Sequence, residues 1–126
     1  MNQVEDKIPE SGSMEALQLA GRIIMENGGE TYRAEETINR MGSGLGLDAV
    51  DSFAVPSGLF ISYRGEDGKP VTSVCRVKRE GRNLTRVNEV NQISRFVSAG
   101  QMDCSQALIH LQIGRASCRE RVSPRV

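Results

Sequence analysis

Residues 49–80, AVDSFAVPSGLFISYRGEDGKPVTSVCRVKRE, decide the fold. Three runs within them, 49–55, 59–64 and 71–78, are rich in Val, Ile, Phe and Tyr, which suit a pleated, half-buried surface. "PSG" separates the first pair and "GEDGKP" the second, and both carry the Gly, Pro and Asp chemistry of tight turns. Links this short force antiparallel pairing, because parallel neighbours need a crossover of roughly a dozen residues or more. A three-stranded antiparallel meander is expected.

The period changes to helical on both sides. Upstream, Ser13 reads as an N-cap, with Glu15 in the first turn and Leu17, Ala20 and Ile24 on one face beside Ile23. Asn27 to Gly29 supply a left-handed stop. Thr31 reads as the N-cap of a second helix through Ala34, Ile38, Met41 and Leu45, ended by Gly42, Gly44 and Gly46. The short link makes the pair a tight helical hairpin. Downstream, Leu84, Val87, Val90, Ile93 and Val97 line one face up to Gly100. Asp103 and Gln106 then form a capping box ahead of Ala107, Leu108 and Leu111. The order is ααβββαα, an α+β domain with helices packed on one face of a three-stranded antiparallel meander.

The whole chain of 126 residues suits one domain. Residues 1–12 are polar, with Pro9 and Gly12, and are expected to form a disordered leader without the apolar stretch of a signal peptide. No run approaches the ~20 apolar residues that cross a bilayer, so no direct membrane insertion is expected. Sixteen basic and sixteen acidic residues balance, but four arginines and one acid fall after Gln112. Residues 1–112 therefore hold twelve basic against fifteen acidic residues, a net charge of −3. That balance argues against nucleic acid, whose binding needs clustered cations, and leaves "VCRVKREGR" as a solvated strand edge. Cys75, Cys104 and Cys118 lack metal-ligand spacing and His110 is the only histidine, so no metal and no cofactor is expected.

Chemistry concentrates at the helical corner. Glu26 ends the first helix, while Glu30, Thr31, Arg33 and Glu35 open the second across the glycines. Acids there oppose the helix macrodipole favourably, a purely structural reading. A binding reading stands beside it: the forked guanidinium of Arg33 holds a carboxylate, and Glu30 or Glu35 meets an ammonium group. Ser57, in "VPSGLF", invites a nucleophile reading, but a working serine needs a base and His110 is distant in sequence.

Three stretches, LAGRIIMENGGETYRAEETINRMGSGLGL, FAVPSGLFISY and RNLTRVNEVNQISRFVSAGQM, resemble the N-terminal part of the threonine/serine exporter family, multi-pass amino-acid efflux proteins of the inner membrane. The resemblance covers roughly residues 15–111, and the run from Gly21 to Glu35 is its most specific portion. It implies a cytoplasmic domain that precedes a transmembrane bundle, and a transporter rather than an enzyme. The expected partners are that missing transmembrane half and a small amino acid. The corner residues Glu26, Glu30, Thr31, Arg33 and Glu35 become candidates for substrate binding or coupling. The competing reading is a free-standing small-molecule-binding module or a weak hydrolase using Ser57 or Cys75.

Residues 113–122, IGRASCRERV, resemble the translation of a common short-read sequencing adapter. The authentic sequence is therefore expected to end at about Leu111 or Gln112, with 113–126 an artefactual disordered tail and 13–112 a truncated exporter-type domain. A helix interrupted there leaves Leu108 and Leu111 half covered. The fragment is expected to be soluble in the cytoplasm and unable to transport by itself.

Overall fold

Turn chemistry sets the sheet. Pro56 and Ser57 form a two-residue loop that pairs Val55 with Gly58, and from there Ala54 faces Leu59, Phe53 faces Phe60 and Ser52 faces Ile61. The computed structural model describes the backbone of residues 2–122 and the side chains of 12–113. Its elements are α1 (Asn2–Glu26), α2 (Thr31–Gly44), β1 (Asp48–Val55), β2 (Gly58–Arg64), β3 (Pro70–Arg76), α3 (Leu84–Ser98) and α4 (Cys104–Val122). The chain is an α+β protein in the order ααβββαα, with an antiparallel sheet ordered β1-β2-β3.

Strand alternation divides the sheet into two unlike faces. Leu59, Ile61 and Tyr63 of β2 point inward and are buried with Leu17, Ala20 and Ile24 of α1 and Ile38 and Met41 of α2. Val87, Val90 and Val97 of α3 and Ala107 and Leu111 of α4 complete this core. On the other face, Phe53, Phe60 and Val74 lie directly opposite one another across the three strands, 62%, 36% and 75% exposed. That row is an apolar stripe on an open sheet face.

Several local expectations are corrected. Ser13 does not cap α1; it is buried inside a helix that begins at Asn2. Of the leader and tail expected at 1–12 and 113–126, residues 2–12 and 113–122 are described as helix continuous with the rest of α1 and α4, and Met1 and 123–126 lie outside the described residues. Extending a helix that tertiary packing already holds is far easier than nucleating one, so weak local propensity suffices. Leu111 is fully buried, and Leu108 is partly covered, because α4 lies against α1. Their approach is close: a Cβ added at Gly12 would sit 3.4 Å from Cys104 Sγ and 3.6 Å from Leu108 Cδ1. Leu84, expected on the core face of α3, is exposed at its first turn. Gly42 and Gly44 lie within α2 rather than after it. The expected capping box is present, with Asp103 N donating to Gln106 Oε1 at 3.0 Å and Gln106 N to Asp103 Oδ1 at 2.9 Å.

Candidate functional site

The corner between α1 and α2 is built from backbone hydrogen bonds. Gly28, at φ +90°, donates to Met25 O at 3.3 Å, and Gly29 donates to Ile24 O at 2.8 Å. These two bonds are a Schellman closure, which needs a residue without Cβ strain at the left-handed position. Gly29 is constrained by space as well: a Cβ there would sit 2.4 Å from Ile24 Cγ2 and 2.8 Å from Ile24 O. The segment after β3 then folds back onto the helix end. Glu80 N and Gly81 N donate to Glu26 O at 2.9 and 3.2 Å, and Asn83 N donates to Asn27 O at 3.1 Å. Of the basic stretch expected as a solvated strand edge, residues 74–76 end β3 and residues 77–82 follow it, bringing Arg82 against Gly28 at the negative end of α1. Cations there are favourable.

Each corner residue now has a place. Glu26 is buried and pairs with Arg22 Nη2 at 3.3 Å, one turn earlier on α1. Glu30, not Thr31, is the N-cap of α2: its backbone is extended and its carbonyl accepts from Arg33 N at 3.0 Å and Ala34 N at 3.1 Å, while its side chain makes no cap bond. Thr31 is the first helical residue because Glu30 already supplies that carbonyl. Arg33 is half-buried, and its guanidinium has no hydrogen-bond or ion-pair partner among the described residues. Glu35 turns to the sheet, where its Oε2 accepts the Ala54 backbone N–H of β1 at 2.8 Å. Ser52 Oγ adds a bond to Asn39 Oδ1 at 3.2 Å, so α2 covers that strand edge. Glu35 and Arg33 are therefore engaged differently: one supports the fold, the other is uncommitted.

Glu35→Ala should destabilise the chain by about 1–3 kcal/mol, since the buried Ala54 N–H loses its acceptor. Urea unfolding followed by far-UV circular dichroism would measure this. An unchanged midpoint would mean water replaces the carboxylate without loss.

Sequence reasoning missed other polar contacts. Arg86, at the third position of α3, is buried and donates from Nη1 to Glu89 Oε1 at 2.6 Å, its Nη2 unpaired among the described residues. The i, i+3 spacing was a readable signal for that pair. Cys104 has its thiol pKa raised, chiefly by burial, so it is less nucleophilic than a free thiol. Ser57 is exposed in the β1–β2 turn, and no hydrogen bond joins its hydroxyl to a base among the described residues. Among the described residues there is no group of three or more His, Cys, Asp or Glu that could hold a metal ion.

Comparison with protein families gives a match over residues 15–115 to the family described as "Putative threonine/serine exporter". Comparisons with curated proteins and with solved structures return no match. The matched span runs from the middle of α1 into α4 and contains the whole sheet and the helical corner.

Proposed function

We propose, since the chain belongs to the threonine/serine exporter family, that it is the N-terminal cytoplasmic portion of an efflux transporter for threonine, serine or a similarly small amino acid. The observation that carries this reading is the coincidence of the family match with the folded ααβββαα unit. Family members are transporters rather than enzymes. Among the described residues no helix is long and apolar enough to cross a membrane. The translocation path accordingly belongs to a transmembrane partner region, and this portion couples to it or gates it.

Two surfaces support such coupling. The exposed row Phe53, Phe60 and Val74 offers apolar area of the kind that protein contacts cover. Arg33 offers a forked cation without a committed partner, suited to a carboxylate of the transmembrane region or of the transported amino acid. Glu26 and Glu30 lie at the same corner, with Thr31 between Glu30 and Arg33. In this reading residues 13–112 are the exporter-type portion, and the parent protein resides in the inner membrane.

The test is the complete gene. Placed in a strain lacking its own threonine exporter, it should restore release of threonine or serine to the medium, and Arg33→Lys should cut that release while leaving membrane insertion intact. Restored export by the lysine variant at the parental level would return Arg33 to a structural face. Failure of the complete gene with both amino acids would replace the substrate assignment.

A further inference from the structure

A cleft of about 260 Å³ opens where α1, the α2–β1 link and the β2–β3 turn meet. Ser13 of α1, Leu47 in the α2–β1 link, Asp48 at the start of β1, Tyr63 and Arg64 at the end of β2, and Glu66 in the turn line it. The backbone departs from regular pairing at this spot. Continuing the register set by the Pro56–Ser57 loop would put Ala49 opposite Arg64; instead β1 carries an extra residue between Asp48 and Asp51, and Asp48 faces Arg64. Ala49 takes φ 56°, the left-handed region that a side chain disfavours. Bulges commonly re-aim a side chain beside a binding site, and here the bulge sets a carboxylate beside a guanidinium.

Fold stability does not account for that arrangement. Arg64 Nη1 donates to Asp48 Oδ2 at 3.4 Å, and the two side chains are 57% and 71% exposed. Ion pairs so open to water contribute little. Their remaining capacity is large: Asp48 Oδ1 and the other Arg64 N–H groups have no partner among the described residues.

We propose that this cleft binds a small zwitterionic α-amino acid, its carboxylate on Arg64 and its ammonium on Asp48 and Glu66. Opposite charges side by side on the protein match opposite charges carried on one carbon of the ligand. Two carboxylates against one guanidinium leave the rim at −1, which disfavours acidic amino acids. The volume falls just below the ~300–1,000 Å³ of ordinary ligand pockets, so the side chain must be short. Tyr63, buried, and Leu47, half-buried, give that side chain an apolar wall. The choice of threonine and serine as first ligands rests on the exporter reading; the charge pattern does not.

Isothermal titration calorimetry on the 126-residue chain tests this directly, with L-threonine and L-serine as titrants. Saturable binding in the millimolar range is expected. Affinity should fall at least about tenfold for threoninol, which lacks the carboxylate, and for 3-hydroxybutyrate, which lacks the ammonium. The same loss is expected for L-threonine with Arg64→Gln and with Asp48→Asn, whose exposed positions should leave the circular dichroism spectrum unchanged. No saturable heat, or equal affinity in both variants, overturns the site. Export by the complete gene without binding here would remove the site and keep the exporter reading; binding without export would do the reverse.

Discussion

Gly44→Ala is expected to destabilise the chain by about 1–3 kcal/mol, although helix propensity alone predicts a gain of up to roughly 1 kcal/mol. The sign turns on where α2 meets α3. A Cβ at Gly44 would lie 2.6 Å from Val97 O, 2.7 Å from Ser98 Cα and 2.8 Å from Ser98 N. All three are backbone atoms, so no side chain can rotate away, and either helix must shift. Such a shift would disturb Arg40, whose Nη1 donates to Asn91 Oδ1 at 3.0 Å and Ser94 Oγ at 3.2 Å across the same contact. Gly81→Ala supplies the control. That residue has open space around it and no left-handed φ, so alanine there should be neutral or slightly stabilising. Paired urea titrations would decide: a stabilised Gly44 variant would mean that α2 and α3 slide apart easily.

What the sequence discloses here is local, and what it hides depends on distant partners. The strands, their antiparallel pairing across the Pro56 turn and the capping box at Asp103 follow from turn and cap residues within a few positions of each other. The role of Gly44 does not. Read locally it is one more helix terminator in a run of glycines, whereas its space is taken by the C-terminal turn of α3. Glu35 is similar: an acid near a helix start satisfies the macrodipole argument, yet its carboxylate bonds a strand nineteen residues onward. The bulge that pairs Asp48 with Arg64 is equally silent in sequence, because a register slip of one residue leaves the hydrophobic alternation after Asp51 intact. For the candidate site, the corner motif was legible and the commitments of its side chains were not. Arg33 and Glu35 stand two positions apart in one helix, but only Glu35 is tied to the sheet.

A strain without its threonine exporter, supplied with this chain alone, is expected to release no threonine. Carrying a zwitterion through ~30 Å of hydrocarbon requires a polar path, since stripping water from unpaired charges costs far more than thermal energy. α1 has the length for a crossing at 25 residues, but its sequence includes Glu5, Asp6, Lys7, Glu10, Glu15, Arg22 and Glu26. α4 has 19 residues, among them Arg115, Arg119, Glu120 and Arg121. Placing either in a bilayer would bury several charges at about 2.5–3.5 kcal/mol each near the centre, more than the apolar residues return. It would also take Leu17, Ile24 and Leu111 out of the core that holds the sheet. The chain should therefore accumulate, as seen by immunoblot after fractionation, while threonine in the medium stays at the level of the empty strain. Export by this chain in cells shown to hold no other copy of a transmembrane region would break the argument at its first step. It would mean that these helices rearrange into a pathway that their charges forbid in the fold described above.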